Sequence, residues 1–205
     1  MKNKIKWIIF SICLIMFIVI AFNIGNESLK IDNFVYNFIS NFRTDFNTKI
    51  AKIITNMGYY YLIPIAAIIM VIFVFVKRRK TAFLIGLNIF VVGILNLILK
   101  NIFRRNRPFT LMIIDQKGYS FPSGHAMAST AFYGFFIYLI YKKVNNKYIK
   151  WSSILLLSLL IILICSSRIY LGVHFASDVI AGIMLSICEL ILFTSTASKY
   201  FEKME

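Results

Sequence analysis

The sequence predicts an all-α fold: an integral membrane bundle of six transmembrane helices, with a short amphipathic surface segment between spans one and two. Three observations predict it. Of the 205 residues, 60% are hydrophobic and the mean hydropathy is +0.78, whereas a soluble domain is roughly 45–50% apolar. The apolar residues gather into runs near the roughly 17–25 residues that cross a hydrocarbon core. The net charge of +15 is dispersed as short basic clusters between those runs. That spacing fits membrane topology and anionic lipid, and no nucleic-acid partner is expected. No internal repeat divides the chain, so residues 1–205 read as a single domain.

The first span covers residues 7–24 and follows MKNKIKW. Its apolar run is long for a signal peptide and no A-x-A-like site follows, so an uncleaved anchor is expected. Residues 25–58 are mixed rather than apolar. Phe34, Phe38 and Phe42 recur at helical spacing, as do Ile50, Ile53 and Ile54, which predicts short amphipathic helices at the membrane surface. The other spans are 60–76, 82–103, 126–141, 151–167 and 176–197. Cys13, Cys165 and Cys188 lie within apolar runs, without metal-ligand spacing, and read as packing residues.

Short loops give the orientation. Lys2, Lys4 and Lys6, then KRRK at 77–80, then Lys142, Lys143, Lys147 and Lys150, then Lys199 and Lys203 all fall on one side. The positive-inside rule makes that side cytoplasmic, with both termini inside a multi-pass protein of the cell membrane. Trp7 and Trp151 border the inner clusters and Tyr59 to Tyr61 mark the outer interface. Loops 104–125 and 168–175 then share the outer side. The first carries Arg104, Arg105 and Arg107 against the topology rule, so these arginines need another reason. Arg104, Arg105 and Lys117 are expected to gather anionic lipid or to snorkel toward headgroups.

Three separate pieces meet on that outer side. In KNIFRRNRP, Lys100 and Arg107 stand seven residues apart, which on a continuous helix is one face and about 10 Å along the axis. Pro108 disfavours helix at Arg107, so the guanidinium projects where the helix stops. In FPSGHAMAS, Ser123 either caps the helix that begins near His125 or offers its hydroxyl, with the Gly124 N–H, as an anion site. In SRIYLGVHFASD, His174 and Asp178 are four residues apart and share a helical face, with Arg168 adding a third cation. A carboxylate on one imidazole nitrogen fixes the tautomer and leaves the other nitrogen free as base or nucleophile. Each piece has a plain reading as a snorkelling cation, a cap or an interfacial histidine. Both histidines of the chain and two of its three prolines fall in these segments, which favours one shared site.

Taken together, K-NIFRRN-RP, PSGH and SR-IYLGV-H-FAS-D resemble the three-part signature of the type-2 phosphatidic acid phosphatase superfamily, with no departure at a signature position. Small bacterial members act on phosphatidylglycerophosphate or undecaprenyl diphosphate. The resemblance implies that His174 attacks phosphorus and forms a phosphohistidine while Asp178 holds its ring. It implies that His125 protonates the leaving oxygen and then activates water. Lys100, Arg107, Arg168, Ser123 and Gly124 would bind the phosphoryl oxygens. Three cations supply the charge stabilisation that metal ions give other phosphoryl transferases, so no metal and no cofactor is expected. Opposite protonation states of the two histidines predict a bell-shaped pH profile.

The expected activity is hydrolysis of a lipid phosphate such as phosphatidylglycerophosphate or phosphatidic acid at the outer face of the membrane. An alternative is an undecaprenyl diphosphate phosphatase that recycles the cell-wall lipid carrier. A third is a non-catalytic lipid-binding or transport protein on the same scaffold, although such a relative would be expected to have lost His174, His125 or Asp178. The sequence carries no signal for oligomeric state.

Overall fold

A computed structural model of the protein describes residues 2–25 and 28–202. Lys203 and the side chains of Lys2 and Lys199, from the terminal basic clusters, lie outside the described residues. The described residues contain helices and no strand. The six expected spans all fall on helices: α1 (Lys2–Asn23), α4 (Leu62–Phe75), α5 (Arg79–Phe103), α6 (Gly124–Lys143), α7 (Lys147–Tyr170) and α8 (Ala176–Glu202). Between the first two lie α2 (Lys30–Ser40) and α3 (Asp45–Asn56).

Four helices, α1, α5, α7 and α8, are long and apolar enough to cross a membrane. The remaining two differ from that pattern for separate reasons. α4 is apolar but only 14 residues long, about 21 Å at the helical rise, against about 30 Å of hydrocarbon. α6 has the length but a mixed sequence, because it is the central helix. It packs against α5, α7 and α8, and Ala126, Ser129, Thr130 and Ala131 on it are buried. Small side chains let neighbouring backbones approach closely, so α6 has little need of an apolar exterior. The outer faces of the other helices are apolar: Phe22, Phe75, Ile102 and Leu156 all stand exposed. Such a surface suits hydrocarbon and would be costly in water.

Local chemistry sets the helix ends. Asn146 Oδ1 accepts from the backbone N–H groups of Tyr148 and Ile149 at 3.0 and 3.1 Å, starting α7. Thr44 Oγ1 accepts from Asn47 N at 3.1 Å and starts α3. At the end of α5, Arg104 takes a left-handed conformation, φ 48°, with its N–H on the Lys100 carbonyl. That ending corrects one expectation. Lys100 and Arg107 do not share a helical face, because the helix stops at Phe103 and Arg107 returns to the site along an irregular loop.

The α2–α3 segment is anchored to the end of α7. Arg43, between the two helices, donates to the Tyr170 carbonyl at 2.8 Å, the Leu111 carbonyl at 3.3 Å and the Tyr36 hydroxyl at 2.7 Å. Phe34, Phe38, Phe46 and Ile53 remain exposed, while Asp32 and Thr55 point inward and are buried. The segment therefore exposes large apolar side chains and turns Asp32 and Thr55 inward beside Val35, Ile39 and Ala51.

Candidate active site

The C-terminal ends of α5 and α7 and the N-terminal ends of α6 and α8 converge at one end of the bundle. A cavity of about 270 Å³ opens there, lined by Lys100, Arg107, His125, Arg168, His174 and Gly124, with Tyr59, Asn96 and Gln116. Six of the eight residues singled out in the sequence as a site thus line one space. Ser123 and Asp178 are fully buried and do not line it.

The loop 171–175 brings His174 into place. Gly172 adopts φ +70°, and a Cβ there would collide with the Leu111 carbonyl. Only glycine meets both conditions cheaply. The Ile113 N–H donates to the Leu171 carbonyl at 2.9 Å, which ties this loop to the one after α5.

Arg107 is held on several sides. Its Nε donates to the Gly118 carbonyl at 2.8 Å, Nη1 to the Val173 carbonyl at 2.7 Å and Nη2 to the Tyr119 carbonyl at 3.1 Å. Nη1 also lies 3.1 Å from His174 Nε2. An arginine can only donate, so Nε2 carries the lone pair and the ring proton sits on Nδ1. Nδ1 lies 3.5 Å from Asp178 Oδ2, close enough for charge attraction but without a formed hydrogen bond. Burial holds the His174 ring well below the usual imidazole pKa, and Arg107, Arg168 and Lys100 push it the same way. Its neutral form is the one present near neutral pH. Burial also brings Arg107 down to about 10, offset by Asp178, which leaves it charged.

The other cations are similarly oriented. Arg168 Nη1 donates to Thr55 Oγ1 at 2.8 Å and Nη2 to Gln116 Oε1 at 3.0 Å, while its Nε is buried without a partner. Lys100 Nζ donates to the Tyr119 carbonyl. His125 packs its ring against Tyr59 at 5.4 Å between centroids. Ser123 occupies the N-cap position of α6 yet makes no side-chain cap bond. Its hydroxyl is buried without a partner, so the plain capping reading does not hold.

Arg105 departs from expectation. It was expected to meet lipid headgroups at the surface, but it is 2% exposed. Its Nη1 bonds Asp178 Oδ1 at 2.7 Å and Ser177 Oγ at 2.7 Å, and its Nη2 bonds Asp32 Oδ2 at 3.1 Å. Two buried carboxylates outweigh solvation at the surface. Arg104 beside it is exposed and donates to the Asn101 carbonyl at 3.0 Å, so the RR pair splits between interior and exterior. Sequence reasoning also passed over Thr55, Gln116 and Asp32. Asp32 is an acidic residue between apolar and basic ones in KIDNFVYNF, the one hint that this helix has a buried partner.

Residues 81–202 match the PAP2 superfamily. The chain is 31% identical over 137 residues to phosphatidylglycerophosphatase B of Bacillus subtilis, covering 65% of this chain and 67% of that protein. It is 26% identical over 192 residues to undecaprenyl-diphosphatase of Sulfolobus acidocaldarius, covering 90% of this chain and 87% of that one. The crystal structure of a transmembrane PAP2-type phosphatidylglycerolphosphate phosphatase from Bacillus subtilis superposes with a TM-score of 0.82 at 25% identity, covering 96% of this chain and 97% of that one. Fold and relatives define a class: membrane-bound hydrolases of phosphate groups on lipids. The chain belongs to the PAP2 superfamily.

Proposed function

We propose that the protein removes phosphate from a lipid phosphate, such as phosphatidylglycerophosphate or phosphatidic acid, at the outer face of the membrane through a phosphohistidine. The observation that carries this reading is that His174, with Nε2 accepting from Arg107, lines one cavity with three cations and a second histidine. His174 Nε2 attacks phosphorus, and the phosphorus–oxygen ester bond breaks with its electron pair leaving on the lipid oxygen. His125 gives that oxygen a proton. Water then attacks the phosphohistidine, loses a proton to His125, and the phosphorus–nitrogen bond breaks to release inorganic phosphate. Lys100, Arg107 and Arg168 surround the phosphoryl oxygens with the Gly124 N–H, and the Ser123 hydroxyl, buried without a partner behind the cavity lining, reaches them by turning when phosphate binds. Asp178 keeps the ring proton on Nδ1 and stabilises the charge that forms there.

The cavity's surroundings support a lipid over a soluble phosphate ester. A second, largely apolar groove of about 310 Å³ runs from Tyr59, Asn96, Lys100 and Gly124 down between α4, α5 and α6. A phosphate in the cavity leaves its apolar chain beside that groove. The six-span reading belongs with this proposal: α6 spans inside the protein, and α4 spans with help from the adjoining turn. Segment α2–α3 lies along the outer interface with Phe34, Phe38 and Phe46 toward lipid. Undecaprenyl diphosphate remains the alternative substrate, favoured by the likeness to the archaeal diphosphatase over 90% of this chain.

The mechanism is tested by acid-labile, base-stable phosphoenzyme trapped from radiolabelled phosphatidic acid. Label on the wild type and none on His174→Ala is expected. Release of phosphate from the wild type with no label trapped in a single turnover would point instead to direct attack by water.

A further inference from the structure

We propose that Arg105 and Asp32 are positioning residues for the reaction, acting through Asp178 on His174. This rests on the phosphohistidine reading above. Arg105 stands at one of the unspecified positions of the first motif, between Lys100 and Arg107, and Asp32 comes from α2, well separated in sequence from all three motifs.

Asp178 has two oxygens with different tasks. Oδ2 accepts from the Phe175 N–H at 2.9 Å and faces His174 Nδ1 at 3.5 Å. Oδ1 is taken by Arg105 Nη1 at 2.7 Å. Turning the carboxylate to break that second contact would swing the first oxygen away from the imidazole. Arg105 therefore fixes which oxygen meets His174 and at what angle.

Arg105 is itself fixed by Asp32. Asp32 Oδ2 accepts from Arg105 at 3.1 Å, from the Ser177 hydroxyl at 3.0 Å and from the Leu29 N–H at 2.9 Å, while Oδ1 accepts from the Ser177 N–H at 2.7 Å. The guanidinium also lies 4.1 Å from the Phe175 ring centroid. A planar fork bridging two carboxylates is a geometry that lysine cannot reproduce. The charges matter too. Two carboxylates and one guanidinium leave one negative charge behind His174, opposite Lys100, Arg107 and Arg168 on its cavity side. Loss of Asp32 would cancel that charge and leave Arg105 drawn wholly onto Asp178.

The competing view is that the network merely ties α2 to α8. Arg43 provides the control, because it also ties the segment to the body, through the Tyr170 and Leu111 carbonyls, without touching Asp178. The experiment measures kcat and KM for phosphatidic acid in detergent micelles, with thermal unfolding, for Arg105→Lys, Asp32→Asn and Arg43→Gln. Arg105→Lys is expected to lower kcat by roughly 10- to 100-fold with KM held within about twofold, as misplacement of a reacting group does. Asp32→Asn should follow in the same direction, and it carries the test if Arg105→Lys does not fold. Arg43→Gln should lower the unfolding temperature yet keep kcat within about twofold of wild type. Wild-type kcat in Arg105→Lys and Asp32→Asn, or an equal kcat loss in Arg43→Gln, overturns the inference. Failure of the wild type to release phosphate would contradict the underlying reading instead.

Discussion

At the scale of single residues, the proposed chemistry turns on one imidazole. As the proposed nucleophile His174 must be neutral, and burial with the nearby cations holds its pKa well below the ordinary 6.5. A lowered value means that the neutral form persists to lower pH. The acid limb of kcat/KM for the free enzyme should therefore fall below pH 6.5, which initial rates across a buffer series will show. An acid limb above that value would contradict the environment described for His174. His174→Ala should lose at least about 10³-fold in kcat, since removal of a nucleophile removes the covalent route itself. The residues proposed for this chemistry could be named from the sequence because the motifs place chemically matched groups at short, fixed spacings, and most of them line one cavity. Arg105 was not legible. FRRNRP offers three arginines of equal chemistry, and only the left-handed turn at Arg104 decides that Arg105 enters the interior while Arg104 stays outside.

At the scale of elements, loops and caps do the positioning. Gly172→Ala combines an unfavourable positive φ with a collision against Leu111, so it should cost about 2 kcal/mol or more and also depress activity by moving His174. Thermal unfolding paired with an activity assay would separate the two effects. Asn146→Ala removes the α7 cap at the opposite end of that helix. It should cost about 1 kcal/mol and leave kcat unchanged. Helix positions followed from the apolar runs, because burial in lipid demands them. The helix ends did not: α1 extends from residue 7 back to Lys2, and α7 from 151 back to Lys147. Basic residues at a span end continue the helix into the headgroup zone, so composition changes before the hydrogen bonding stops. The amphipathic pattern of Phe34 and Phe38 identified the outer face of α2 and said nothing of Asp32 on its inner face.

At the scale of the whole molecule, helix order sets where the chemistry sits. The ends of α5 to α8 that carry the motifs meet around one cavity. Their opposite ends carry Arg79, Lys142, Lys143, Lys147 and Lys150, so the basic clusters and the cavity occupy opposite ends of the bundle. With the basic end inside, a cysteine introduced by Asp115→Cys should react with a membrane-impermeant maleimide in intact cells. One introduced by Asn145→Cys should react only after permeabilisation. The reverse pattern would put the site on the inner face. The native Cys13, Cys165 and Cys188 are buried and free, so they form a quiet background for this labelling. A lipid phosphatase whose proposed chemistry rests on His174 should show itself in phosphate release by purified protein in detergent with excess EDTA, beside His174→Ala. Phosphatidylglycerophosphate, phosphatidic acid and an undecaprenyl diphosphate analogue would be compared. The account predicts release that survives EDTA and is lost in His174→Ala, with the ranking of rates identifying the preferred lipid. Release abolished by EDTA, or retained by His174→Ala, would contradict it.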